Sequence, residues 1–315
     1  MPPAVLPALT VLFASHNGAQ TLPRMLRALE RLTPPRRPWR IIAVDNASTD
    51  ETPKILREAQ ARLPLTILSC DAPGKAAALR RAVGEVTGDL VILTDDDVEP
   101  EPGWLTAYEA AADEHPDFGL FAGPITPAPL GETGPWFDAS AAHHPELFAK
   151  SDIGEGPLAS LGEVFGPNFM LRAQYVDVLA SVPENVGPRF DGAWRRRYPM
   201  GQDTRVVMAA TARGAAAWGV PAARVSHLVR PHQTDLRFML DRAIRHGRGS
   251  AIELVRRDRL AWARRLKLAL KAMVGGVAPA AVDETRPDPA VFEALWKAHW
   301  SRGCLLGATL GPFSG

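Results

Sequence analysis

Apolar runs too short for helices alternate, from residue 8 to about residue 125, with segments of helical spacing. That alternation restricts the fold more than any other feature of the chain. The runs are LTVLFA (9–14), RIIAVD (40–45), LTILSC (65–70), LVILTD (90–95) and FGLFAG (118–123). Between them, Leu22, Met25, Leu26 and Leu29, then Ile55, Leu56 and Ala59, then Ala76, Leu79 and Val83 recur on single helical faces. Strand–helix–strand units of this length predict an α/β fold, a mostly parallel central sheet flanked by helices. Right-handed crossovers then gather the strand C-termini along one rim, where such sheets bind ligands.

Polar residues collect at those same ends: SHNGA after the first strand, DNASTDE after the second, DAPGK after the third and DDDVEP after the fourth. One polar loop is ordinary; four in succession on one rim predict a site. In DNASTDE, Ser48 or Thr49 is placed to cap a helix that Asp50 and Glu51 favour through its dipole. The three consecutive carboxylates Asp95, Asp96 and Asp97 repel one another, more so half-buried at a strand end. A solvated turn needs one or two aspartates, not three after an apolar strand. A divalent cation, Mn2+ or Mg2+, relieves the repulsion, and these ions prefer few carboxylates together with phosphate oxygens. Without that cation and its diphosphate, this loop is expected to be strained or disordered.

Residues 124–162 are rich in Pro and Gly and read as a long loop with one short helix, a length usual for functional segments. Regular structure resumes at EVFGPNFMLR (163–172), followed by a short helix after Ala173, a helix from about Asp203 to Arg213 and a strand at RVSHLV (224–229). Two basic helical segments, about 234–257 and 259–275, precede a poorly patterned tail, so the division expected is residues 1–230 and a basic helical extension 231–315. From Arg230 to Lys271 there are twelve Arg/Lys against four Asp/Glu, a local net of +8 within a chain of net +1, so the remainder is 1 − 8 = −7. The whole chain is therefore not driven toward nucleic acid, and the basic segment has few aromatics for base stacking (Phe238, Trp262). Cys70 and Cys304 are the only cysteines and match no zinc spacing. The start, MPPAVLPALT, lacks a secretory leader's pattern, and no run reaches the roughly 18 apolar residues of a spanning helix. A cytoplasmic protein is expected.

The ordered set FASHNGA, VDNASTDET, PGKAAALRRAV, LTDDDVEPEPGWL, GPNFMLR and GQDTRVVMAATARG resembles the inverting family 2 glycosyltransferases over about residues 8–230. The resemblance implies a GT-A fold and a nucleotide-diphosphate sugar donor, a UDP-sugar foremost. It places Ser15 and His16 beside the nucleotide base, where an aromatic commonly stands for His16. It makes Asp45 the acceptor for a ring N–H and sets Lys75 near the donor, although a solvated lysine at a helix start has the same pattern. Asp95-Asp96-Asp97 matches the family's D-x-D, with Asp95 toward the ribose and Asp97 on the metal, Asp96 being the alternative ligand. Gly166 and Asn168 match a turn near the donor sugar, and Asp203 matches the general base, with Gln202 where the family usually has Glu. His227 is a further metal or diphosphate contact, or a buried structural histidine; Arg245 and Arg248 touch the diphosphate or form a basic helix face in solvent.

No Q-x-x-R-W motif of processive synthases occurs, which favours transfer of one sugar to a hydroxyl acceptor, lipid-linked or in envelope or exopolysaccharide assembly. In the segment Arg259 to Val274, Trp262, Leu266, Ala269, Leu270 and Met273 share one face and Arg264, Lys267 and Lys271 another. An interfacial helix on anionic lipid has this pattern, and so does a helix packed on a core. Two rivals remain. A sugar nucleotidyltransferase has a Gly/Arg/Lys-rich loop after strand one, where this chain has SHNGA; an inactive sugar- or lipid-binding scaffold is favoured only by Gln202.

Overall fold

The computed structural model describes residues 8–72, 74–141, 143–182, 199–257, 267, 270 and 288–310. The chain divides into two compact units, one of residues 1–128, 149–182 and 203–228, the other of 129–148, 183–202 and 229–315. The last boundary falls between residues 228 and 229, and the second unit is assembled from three segments of the chain. Segments from the middle of the chain belong to it because their apolar residues pack on its helices.

In the first unit, strands β1 (Leu9–Ser15), β2 (Trp39–Asp45), β3 (Leu65–Ser69) and β4 (Leu90–Leu93) run parallel in the order β3-β2-β1-β4. Helices α1 (Leu22–Glu30), α2 (Thr52–Ala59) and α3 (Lys75–Val83) connect them. Pro23 and Pro53 stand in the first turns of α1 and α2, where a missing N–H costs nothing. After β5 (Val98–Pro100) and α4 (Trp104–Glu114), the sheet continues as β4-β9-β6-β10-β8, built from β6 (Leu120–Ala122), β8 (Gly156–Pro157), β9 (Phe169–Arg172) and β10 (Ala217–Gly219). Strand β9 is antiparallel to both β4 and β6. A small second sheet, β5-β11-β7, adds β7 (Ile125–Pro129) and β11 (Val225–Val229).

The central strands are buried on both faces. Leu9, Val11, Phe13, Ile41 and Ile92 pack with α1, α2 and α4, while Leu12, Ile42, Val44 and Val91 pack with α3 and with α6 (Gln202–Ala212). Each such apolar side chain contributes about 1.5–3 kcal/mol relative to exposure. Three details depart from the sequence reading. The 124–162 segment holds two short strands as well as α5 (Phe137–Ala141), because its β-pairing is with residues far along the chain. The stretch after Ala173 is a 3-10 helix, Ala173–Ser181. Ser48 and Thr49 do not cap α2: the Ser48 hydroxyl accepts from the Asn17 N–H, and Asp50 takes the Thr52 N–H instead.

The second unit centres on α7 (Leu236–Arg257) and α8 (Pro289–Leu310), which pack along each other. Its core contains Trp136, Leu147, Phe148, Met239, Phe292, Leu295 and Trp296. A Cβ at Gly247 would overlap the Trp300 carbonyl, and one at Gly303 the Ile244 carbonyl, so the two helices meet backbone to backbone. The 22-residue α8 overturns the reading of the tail as poorly patterned. Its small residues make a close helix contact without producing a strong apolar stripe. The expected helix 259–275 lies, apart from Lys267 and Leu270, outside the described residues. Among the described residues, no helix is long and apolar enough to cross a membrane.

Candidate active site

Register fixes the rim. Ser15 pairs with Asp45, Asp45 with Ser69, and Leu12 with Leu93, so β1, β2, β3 and β4 end side by side and release their polar loops together. The β1 and β2 loops are knitted to each other: Gly18 N–H donates to Thr52 Oγ1 (2.8 Å) and Ala19 N–H to Asp50 (3.1 Å). His16 is half-buried, its Nδ1 2.8 Å from the Asn46 carbonyl, and Asp45 accepts the Ser48 N–H (3.2 Å).

The three aspartates diverge, each to a different partner. Asp95 accepts from the Lys75 ammonium at 2.5 Å, Asp96 from the Ser15 hydroxyl at 2.5 Å, and Asp97 lies 3.5 Å from His227 Nε2. A lysine, a hydroxyl and an imidazole thus stand against the three carboxylates, and none of the three residues has a left-handed backbone. His227 reaches Asp97 because β11 pairs antiparallel with β5, and the Leu228 N–H closes onto the Asp97 carbonyl at 2.7 Å.

Lys75 is not a solvated helix-start lysine. Its ammonium also donates to Asp203 Oδ1 at 3.2 Å, and its side chain is only 19 % exposed. Burial opposes the charged form, but Asp203 and Asp95 outweigh it, and the ammonium is held well above the ordinary lysine range. For Asp95, burial is the largest influence and raises its pKa; Asp203 and Asp97 add to the rise against the opposing pull of Lys75. Asp203 stands in the first turn of α6, where the helix dipole favours a carboxylate. Gly166 lies directly against it: a Cβ there would sit 2.6 Å from Asp203 Oδ1 and closer still to Cγ and Oδ2.

Asn168 behaves differently from the expectation of a donor contact. It is 1 % exposed, and its amide is consumed by protein: Oδ1 accepts from Trp104 Nε1 and the Tyr108 hydroxyl (both 2.8 Å), while Nδ2 donates to the carbonyls of Pro124 (3.0 Å) and Ala223 (2.7 Å). It braces the turn beneath the site. Arg245 and Arg248 are buried in the second unit, Arg245 over the Phe238 ring at 5.3 Å, so neither lies on a basic helix face in solvent as the sequence suggested.

Sequence reasoning missed Asn46. Its amide donates to the carbonyls of Cys70 (2.9 Å) and Ala72 (2.6 Å) and accepts the Gly74 N–H (3.0 Å), so it ties the β2 end to the loop that starts α3. Gly74 has φ of 109°, a conformation few other residues adopt, and Lys75 follows it directly. The available signal was the neighbouring Asp45: an amide there can pair with both backbone donors and acceptors.

Carboxylates suit both Mn2+ and Mg2+, which gives the Asp97 side chain that role, whereas the His227 imidazole 3.5 Å from it fits the softer Mn2+ better than the hard, oxygen-seeking Mg2+. Among the described residues, no three His, Cys, Asp or Glu side chains form a cage for a metal ion. A cation here would draw its remaining ligands from a bound anion and water.

The glycosyl transferase family 2 model matches residues 10–176. Glycosyltransferase AglE of Haloferax volcanii is 30 % identical over 104 residues, 32 % of this chain and 34 % of that protein. Undecaprenyl-phosphate 4-deoxy-4-formamido-L-arabinose transferase of Salmonella choleraesuis is 28 % identical over 119 residues, 35 % of each chain. The aligned stretch spans about a third of these relatives. The mannosyltransferase PcManGT of Pyrobaculum calidifontis, solved with GDP-Man and Mn2+, superposes with a TM-score of 0.56 over 94 % of this chain and 87 % of its own, at 20 % identity. TarS 1–349 of S. aureus, solved with UDP-GlcNAc, gives 0.53 over 95 % and 91 %, at 15 % identity.

Proposed function

The chain belongs to glycosyl transferase family 2 and has the GT-A fold, and from that premise we propose that it moves one sugar from a nucleoside-diphosphate donor to a hydroxyl acceptor with inversion. The observation that carries this reading is the meeting of Asp95, Lys75 and Asp203 on the strand rim, 2.5 and 3.2 Å across the lysine. His16 and Asp45 are the proposed base-side contacts, since they stand at the ends of β1 and β2 where the nucleotide would lie, while Ser15, 1 % exposed with its hydroxyl on Asp96, supports the aspartate rather than the base. Lys75, once donor binds, has a diphosphate to neutralise as well as its carboxylates.

Asp203 is the proposed general base. As the acceptor oxygen bonds to the anomeric carbon, its proton passes to the Asp203 carboxylate, and the bond to the diphosphate oxygen breaks with the electron pair leaving on the nucleoside diphosphate. One displacement inverts the anomeric centre. Asp97 and His227, with Asp96 the alternative, would hold Mn2+ or Mg2+, which when bound supplies positive charge to the leaving diphosphate.

A UDP-sugar is the first donor to test and a GDP-sugar the second, because structural neighbours were solved with UDP-GlcNAc and with GDP-Man and Mn2+. A lipid-linked acceptor is supported by the undecaprenyl-phosphate transferase among the relatives. The net +8 segment and the 55 % exposure of Leu270 support docking of that region on a membrane surface from the cytoplasmic side.

The test is a panel of UDP-, GDP- and dTDP-sugars with Mn2+, read by thermal shift and by release of nucleoside diphosphate. At least one should raise the melting temperature and be turned over, and both effects should fall with EDTA and in Asp97→Ala. If none binds and none is cleaved, the transferase reading fails. Binding without cleavage or transfer favours the scaffold reading that Gln202 suggests, whereas release of pyrophosphate marks a nucleotidyltransferase.

A further inference from the structure

Resting on the assignment of Asp203 as base, we infer that Gly166 is the residue that positions it, its missing side chain being the space the carboxylate occupies. The three atoms nearest a Cβ at Gly166 are Asp203 Cγ, Oδ1 and Oδ2, all within 2.6 Å. Nothing in the backbone itself demands glycine there, because Gly166 is absent from the glycines with left-handed φ among the described residues, 74, 88, 156, 201 and 214. The reason for glycine at 166 is thus the side chain of residue 203.

A second neighbour of the carboxylate is the Lys75 ammonium, 3.2 Å from Oδ1, and the Asp203 side chain keeps 34 % of its surface exposed. Through that exposed surface an acceptor hydroxyl would approach. The turn carrying Gly166 cannot readily yield, since Thr94 Oγ1 donates to the Pro167 carbonyl (2.8 Å) and Asn168 is bound on all sides. Thr94 also precedes Asp95, so the same hydrogen bond sets the turn relative to the aspartate triplet. An alanine at 166 must therefore displace the carboxylate, a flexible end, rather than the turn. This differs from a role in touching the donor sugar: Gly166 acts through the base.

The test is a cycle of Gly166→Ala, Asp203→Ala and the double variant on the full chain, read by melting temperature, with turnover and donor affinity measured for Gly166→Ala. In the Asp203→Ala background, Gly166→Ala should raise the melting temperature, because an alanine at a compatible backbone position restricts the unfolded chain. With Asp203 present it should give no such gain, the difference being the direct coupling of the two residues. Turnover of Gly166→Ala on the donor found above should fall roughly a hundredfold, as expected for a reacting group misplaced by about 1 Å. Affinity for UDP with Mn2+ should stay within about twofold, since the change removes no donor contact. Equal melting-temperature changes in both backgrounds, or loss of UDP affinity with turnover preserved, would overturn the inference. Full transfer by Asp203→Asn would instead remove the base assignment and the catalytic half of this inference, while the melting-temperature coupling still decides the packing half.

Discussion

The Lys75 ammonium, 2.5 Å from Asp95 and 3.2 Å from Asp203, stands where two carboxylates would otherwise face each other without a cation. Lys75→Met should therefore destabilise the protein at neutral pH by about 2–3 kcal/mol, less than the 3–5 kcal/mol of a fully buried pair because both partners keep some exposure. The Asp95 carboxyl is raised, so its folded form takes up a proton more readily, and this contribution favours stability at lower pH and is lost as pH rises through the raised value. Urea denaturation of the variant should accordingly show a smaller penalty in mild acid than near neutrality; a constant penalty would argue that Lys75 acts through packing alone. Asp203→Asn should abolish transfer while UDP with Mn2+ still raises the melting temperature; lost UDP binding would count against its role as base. At Gln202, 5 % exposed, both amide atoms are buried without a hydrogen-bond partner among the described residues. Gln202→Met should be neutral or stabilising by about 1 kcal/mol in the same assay, because it relieves that deficit. A carboxylate in that place would need a partner that the neutral amide does without.

Among the elements, α7, α8 and the segment after α5 share one polar cluster whose two histidines respond oppositely to pH. His144 Nε2 lies 2.8 Å from Glu293 and its Nδ1 3.3 Å from Glu146, while its ring packs against Trp296 at 4.2 Å. Burial pulls the His144 imidazole down, but Glu146 and Glu293 outweigh it and hold it above 6.5. His246, 3.7 Å from Glu146, is pushed below 6.5 by burial first, with Arg242 and His144 adding to the effect against Glu146. The raised His144 contributes stability that is present below 6.5 and lost as pH rises through its folded value. The depressed His246 contributes stability that is present above 6.5 and lost as pH falls through its folded value. His144→Gln should thus make stability rise with pH between about 5.5 and 7.5, and His246→Gln should make it fall across the same range. Identical slopes in the two variants would show that neither histidine carries the linkage. The cluster was not legible in the sequence, because Glu293 and His144 are separated by 149 residues. The parallel strands were legible, since each is a local apolar run bounded by turn residues. Helix α8 was not, because Gly303 and Gly307 make its contact with backbone rather than with an apolar stripe.

At the scale of the molecule, the sequence pattern led to the rim and to the residues on it because parallel topology alone dictates where strands end. What stood beside what on that rim needed the long-range pairings. His227 meets Asp97 only through the β5–β11 register, Asp203 meets Lys75 across 128 residues, and Asn168 turns inward to Trp104 and Tyr108. The division into two discontinuous units was likewise invisible to a linear reading, which has no access to the packing of Trp136 and Phe148 on the C-terminal helices. One further consequence follows from the two cysteines. Cys70, 9 % exposed, is part of the Asn46 bracket, and Cys304, 3 % exposed, lies against the Gly247 carbonyl in the other unit. Each unit therefore carries its own built-in thiol clock: alkylation must wait for local opening, and its rate measures that opening's free energy. Two labelling rates from one unmodified chain, told apart by peptide mass, would time the breathing of the strand rim and of the helix pair separately. Slowing of the Cys70 clock by UDP with Mn2+ would register donor binding before any acceptor is known.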